Sequence, residues 1–265
     1  MSAHGRISRA FVLVAGVVVL LAGCALPWQQ ATGPQPLPDA QQVFRPFMPG
    51  PKNGDLDSLD PARIEFGTDY NVAQLIFPPL VTLNDHNQVA PWAAERWEPS
   101  ADGLTWTFHL RAGMRWSDGV PIDASTYAYS INRSLDRCTA SYVSYYLSGT
   151  GPELITGSVA FSDYIAHPCP NGATASPETL IGKSILAPDP QTLVLRLSHP
   201  AAYFPMALTY PTAWAQPRQL IERYGATFNA SGDIIFHWTE HLVGFGGNLF
   251  TVKRWDHAGH LDLVR

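Results

Sequence analysis

Between Ala93 and Leu135 the hydrophobic pattern changes period, and that change limits what this chain can fold into. Residues Leu104 to Leu110 alternate as Leu-Thr-Trp-Thr-Phe-His-Leu. A period of two belongs to a strand with one apolar and one polar face. Leu104, Trp106, Phe108 and Leu110 stand on the apolar face, and Thr105, Thr107 and His109 on the other. Ser100 to Gly103 ahead of the strand is a turn, because an Asp-Gly pair between apolar runs accepts positive φ. Ser117 to Gly119 makes a second turn. Asp123 is then a good helix N-cap, and Tyr127, Ile131 and Leu135 recur at helical spacing behind it.

The run WTFHLRAGMRWSDGVPIDASTYAYSINRSLD also resembles the signature of the family 5 extracellular solute-binding proteins. That family includes the oligopeptide- and dipeptide-binding components of bacterial ABC importers. The match is ordered: a strand W-T-F-x-L-R, then G-x-x-W-S-D-G-x-P, then a helix carrying a Tyr-Ser pair. So long a pattern is far more specific than a lone glycine motif. The resemblance implies an α/β fold, a periplasmic-binding-protein-like type II lobe of mixed sheets with flanking helices. It implies binding without chemistry, no cofactor, a peptide or similar small solute as ligand, and ABC permease subunits as partners.

Further blocks extend the likeness. Leu59-Asp60-Pro61 resembles the family's L-D-P turn, and Asn71 to Leu83 its helix running into a strand. Pro78-Pro79 replaces the usual Glu-Gly at that junction, which removes two backbone donors and stiffens it. Val89 to Trp97 resembles P-x-L-A-E-S-W. In peptide-binding relatives the segment after the L-D-P turn lines the cleft and pairs with the ligand main chain. The resemblance therefore marks Glu65, Phe66 and Gly67 as ligand-lining; a surface loop is the alternative. Thr139 to Leu147 resembles the block that supplies a cleft tyrosine; that position falls on Val143, with Tyr142 beside it as a candidate contact or a packing residue.

Downstream, Asp189-Pro190 is a turn and Thr192 to Leu197 a strand, and Pro200 to Leu208 fits the family's P-x-x-x-F helix. Pro217 to Gly225 resembles a helix end with Gly225 at its C′ position. His241 to Trp255 resembles V-G-T-G-P-Y-x-x-x-x-W, with Gly247 in place of proline, which predicts a looser turn. Asp256 to Arg265 resembles the strand that precedes the crossing into a second lobe. Family members are about twice this length, so residues 43–265 correspond to a first lobe, an incomplete two-lobe architecture with the second lobe missing. Truncation is the expectation, and such a lobe alone binds peptide weakly or not at all and exposes an apolar cleft face prone to association.

Residues 1–24 read as a lipoprotein signal peptide. Arg6 and Arg9 precede an apolar run, Phe11 to Leu21, too short to span as a mature helix, and Leu21-Ala22-Gly23-Cys24 ends it. Cys24 would be the lipidated first mature residue, placing a monomer on the outer face of the cytoplasmic membrane, in the cell envelope on the periplasmic side. An uncleaved anchor with a bystander cysteine is the alternative. Residues 25–42 are rich in proline and glutamine with one charge, Asp39, the composition of a flexible tether. After Cys24 the cysteines are Cys138 and Cys169, flanking a loop-rich insert. In an oxidising compartment they are expected to pair, although two buried thiols would fit as well.

With 15% charged residues and a net charge of −5, nucleic acid is a poor partner. His237-x-x-Glu240-His241 satisfies H-x-x-E-H, whose two histidines need helical i,i+4 spacing to share a zinc ion. Its surroundings are strand- and turn-like, which disfavours a metallopeptidase. A one-lobed structural or sensory lipoprotein is the other alternative.

Overall fold

The computed structural model describes residues 56–163, 165–166, 168–170, 173–229, 234–257 and 260–265. The signal peptide with Cys24, the tether over 25–42 and the start of the globular part near Val43 lie outside the described residues.

Strands β1 (Val81–Leu83) and β2 (Val89–Pro91) pair antiparallel. The principal sheet contains β3 (Ala94–Pro99), β4 (Thr105–Leu110), β5 (Ile185–Asp189) and β6 (Thr192–Arg196), antiparallel throughout in the order β3-β4-β6-β5. The alternation in β4 is realised: Trp106, Phe108 and Leu110 are buried while Thr105, Thr107 and His109 are half-buried. Phe108 stands opposite Leu193, and Trp106 opposite Leu195. Each such aromatic contributes on the order of 1.5–3 kcal/mol by leaving water. Ile185–Asp189, ahead of the expected turn, is itself a strand, so Asp189-Pro190 closes a hairpin. Pro188 is tolerated there because β5 is an edge strand that needs no donor on its outer side.

Helix α1 (Gly67–Ile76) precedes β1, and α2 (Ala124–Leu135) packs against β5 and β6. The Asp123 side chain accepts from Ser125 N and Thr126 N, and Thr126 Oγ1 accepts from Asp123 N, completing a capping box. Tyr127, Ile131 and Leu135 face the core fully buried. The Tyr127 hydroxyl donates to Pro78 O at 3.2 Å, and Pro78 O also accepts from Ala215 N. The two prolines at the α1–β1 junction thus serve through their carbonyls.

Short helices follow: α3 (Tyr145–Ser148), α4 (Ser158–Ser162), α5 (Phe204–Ala207) and α6 (Arg218–Tyr224). Gly225 ends α6 as its C-cap, at φ +59 and ψ −153, a conformation that favours glycine but is not the left-handed geometry expected of a C′ residue. Two further antiparallel pairs complete the chain, β7 (Ala226–Phe228) with β8 (Ile234–Phe236), and β9 (Thr251–Asp256) with β10 (His260–Val264). The terminal stretch is therefore a hairpin.

Gly247 corrects an expectation. Its turn is not loose: a Cβ there would lie 2.3 Å from Trp116 Cε3 and 2.4 Å from Cζ3, so the buried indole fills the space. Around it, Gly247 N donates to Ile76 O, Phe250 N to Leu75 O, and Asn248 Nδ2 to Gln74 O at 2.6 Å. This segment satisfies the carbonyls that α1 would otherwise leave unpaired at its C-terminal end.

Candidate ligand-binding face

The L-D-P turn is anchored from below. Asp60 accepts from Ala62 N through Oδ1 and receives both Nη atoms of Arg133, at 2.7 and 2.6 Å. Trp238 Nε1 adds a bond to Oδ2 at 3.2 Å, and Arg133 also donates to Gln216 Oε1 at 2.7 Å. The guanidinium lies 4.6 Å from the Phe236 ring centre. Burial works against the Arg133 charge, but the Asp60 carboxylate and its hydrogen bonds more than offset this and hold its pKa above the ordinary value. Four segments distant in sequence thereby meet under the turn.

That anchor sets the start of α1. Glu65, Phe66 and Gly67 are all exposed. Phe66 is in extended conformation (φ −104°, ψ 142°) at the N-cap, and its carbonyl accepts from Tyr70 N. The helix begins at Gly67, four residues before the Asn71 at which the resemblance placed its helix block, so Gly67 is its first turn rather than open loop. Arg63 Nη1 donates to Thr139 O at 3.1 Å, tying this segment to the 3₁₀ turn Arg137–Thr139.

The turn at 137–139 leads into the block containing Tyr142. Cys138 is joined to Cys169 across 31 residues. Asp136 accepts from Cys138 N and Ser176 N, both at 2.8 Å, and fastens the two sides of the insert. Tyr142 is 65% exposed, three residues ahead of a tyrosine pair. Tyr145 and Tyr146 have ring centres 4.5 Å apart, and Tyr146 stacks on Tyr210 at 3.7 Å. Hydrogen bonding to Tyr145, then desolvation, then hydrogen bonding to Tyr210 push the Tyr146 phenol well up, so it is neutral and able to donate. Tyr70, on α1, rests on Trp214 at 5.1 Å, and its pKa is raised by desolvation and then by Tyr210.

Tyr146 and Tyr210 stack, with Tyr145 and Tyr70 as neighbours; of the segments singled out in the sequence, 65–67 leads into the helix that carries Tyr70, and Tyr142 precedes Tyr145 by three residues. Tyr146 belongs to the same tyrosine-rich block as Tyr142 and its spacing could have flagged it. Tyr210, between Thr209 and Pro211, carries no local signal.

The H-x-x-E-H residues do not converge. Glu240 and His241 lie on a 3₁₀ turn, Trp238–His241, with His237 at its N-cap, and a threefold repeat puts positions i and i+4 on different faces. His237 Nε2 is 2.7 Å from Thr227 Oγ1, His241 stacks on Tyr224 at 3.5 Å, and Glu240 bonds His257 Nε2 at 2.9 Å. Among the described residues no group of three such side chains could hold a metal ion.

Comparison with known proteins agrees with this architecture. Residues 88–265 match the family described as bacterial extracellular solute-binding proteins, family 5 Middle. The periplasmic oligopeptide-binding protein OppA of Escherichia coli is 32% identical over 252 residues, 94% of this chain and 40% of that protein. OppA of Salmonella typhimurium is 31% identical over 260 residues, 96% of this chain and 44% of the relative. The crystal structure of Haemophilus influenzae OppA in complex with RPPGFSPFR superimposes with a TM-score of 0.62 and 26% identity, over 77% of this chain and 35% of that one. This chain therefore spans less than half the length of these relatives. Over the region they share, its lobe has the type II periplasmic-binding-protein fold, and the chain belongs to the family 5 bacterial extracellular solute-binding proteins.

Proposed function

We propose that this chain captures peptides outside the membrane for an ABC importer, acting by binding and not by chemistry. Its relatives are named as oligopeptide-binding proteins. The observation that carries the reading is the Glu65–Phe66 segment: exposed, extended at Phe66, and leading directly into the helix that carries Tyr70. Among the described residues nothing engages the Glu65 main chain, so it is free to pair with an extended ligand by strand addition. The tyrosines then offer flat apolar surface with hydroxyl donors to side chains. Residues 43–265 act as the first lobe in this reading, with a second lobe closing over the ligand and a permease recognising the closed form. Acylated Cys24 and the tether over 25–42 hold it to the outer face of the membrane.

Titration of the isotope-labelled chain with tripeptides at millimolar concentration tests the binding face. Amide shifts gathered on 65–70, 142–146 and 210, and reduced by Tyr146→Ala, are expected. Shifts confined to other segments, or shifts on the face that Tyr146→Ala leaves unchanged, would refute it. Radiolabelled palmitate incorporation that is lost in Cys24→Ser tests the anchor.

A further inference from the structure

Where α4 approaches the start of β5, a groove of about 590 Å³ opens to solvent. Small-molecule sites run from roughly 300 to 1,000 Å³. The floor is apolar, made by the buried side chains of Phe161 and Leu180 together with Ala160. Gly157 at φ +83 lets this floor close up, since a Cβ there would sit 3.2 Å from Leu180 Cδ2. The rim is cationic. Lys183 and Arg196 both line the groove, and Arg196 Nη1 donates to Lys183 O at 3.2 Å. One acid, Glu178, lines it too, but its carboxylate is engaged by Arg137 at 2.9 Å. Lys183 has no ion pair among the described residues.

Two more observations point the same way. Ser184 lines the groove 3% exposed, and among the described residues its hydroxyl has no hydrogen-bond partner. Val159 and Ile181, next in the chain to the lining residues Ala160 and Leu180, are apolar and 47% and 40% exposed. Contiguous exposed apolar surface rimmed by polar groups marks a binding site.

We propose that this groove binds a small amphipathic carboxylate. The aliphatic part lies on Phe161 and Leu180, and the carboxylate between Lys183 and Arg196, where charge-assisted hydrogen bonds hold it. None of the lining residues belongs to the tyrosine face, so the site is independent of peptide capture. An amine with the same chain meets like charge, and an alcohol keeps only the apolar contact.

Calorimetric titration of the whole chain with sodium decanoate below its micelle concentration tests this, with decylamine and decanol as comparisons. Saturable decanoate binding is expected, weakened about tenfold or more by K183E or R196Q, the loss of one ionic contact at about 1.4 kcal/mol per decade. Both side chains are exposed, so the melting temperature should not move, and peptide-induced shifts on the tyrosine face should persist. No saturable decanoate binding would overturn the proposal. So would decylamine binding as tightly, or decanoate affinity unchanged in both variants.

Discussion

Arg133 and Asp60, 73 residues apart, meet as a parallel two-bond pair with side chains only 7% and 2% exposed. Removing one member of a buried pair leaves the other charge without compensation, which costs about 3–5 kcal/mol. Arg133→Met should lower urea-unfolding stability by about that amount. Arg133→Lys should recover only part, because an ammonium cannot give two parallel bonds to Asp60 and a third to Gln216. A loss below about 1 kcal/mol in Arg133→Met would mean the pair is incidental to the fold.

Gly247 is held against Trp116 closely enough that no Cβ fits. Trp116 has no room to retreat, being 2% exposed and stacked on Phe245 at 5.1 Å. Gly247→Ala should destabilise by about 1–3 kcal/mol through overpacking, read as a lower denaturation midpoint with an unchanged slope. Gly113, where nothing lies within 4 Å of a Cβ, is a useful comparison: any cost there comes from its φ of +79 alone.

The Cys138–Cys169 bond closes the insert that carries Tyr142, Tyr145 and Tyr146. Opening it in a Cys138→Ser/Cys169→Ser chain should remove ~3–4 kcal/mol, on the chain-entropy view of a loop this long. Hydrogen exchange should accelerate across 140–176 more than in the sheet. Uniform acceleration throughout the chain would show instead that the insert and the core unfold as one unit.

Asp136 predicts a pH dependence. Desolvation raises its pKa above the ordinary 3.8, against the pull of the Ser176 and Cys138 amides and then of Arg137 and Arg133. The folded protein therefore holds this proton more tightly than the unfolded chain does. Stability from this group falls as pH rises through the window above 3.8 up to the raised folded value, and is recovered as pH falls back through it. Melting curves should show that component in the native chain and lack it in Asp136→Asn. A native profile that matches the variant across the window would contradict the assignment.

The local elements were legible because their causes are local. An alternating run makes a strand whose faces are read directly, and Asp123 caps α2 with groups only two and three residues away. The ordered motif around Trp106 to Asp136 was specific enough to place the chain in its family. What sequence reading missed depends on contacts made across the chain. Gly247 read as a loosened turn because the indole that fills its space is Trp116, a partner no local pattern reveals. Tyr210 joins the tyrosine face only because a loop after α5 returns it to α3, where stacking on Tyr146 makes it part of a surface. Sequence by itself determined elements such as β4 and α2, whose causes are backbone sterics and hydrophobic period over a few residues. Tertiary structure alone decided which side chains share a face, because burying Asp60 required Arg133 and Trp238 to converge on it from two other segments, with Gln216 from a third bonding Arg133.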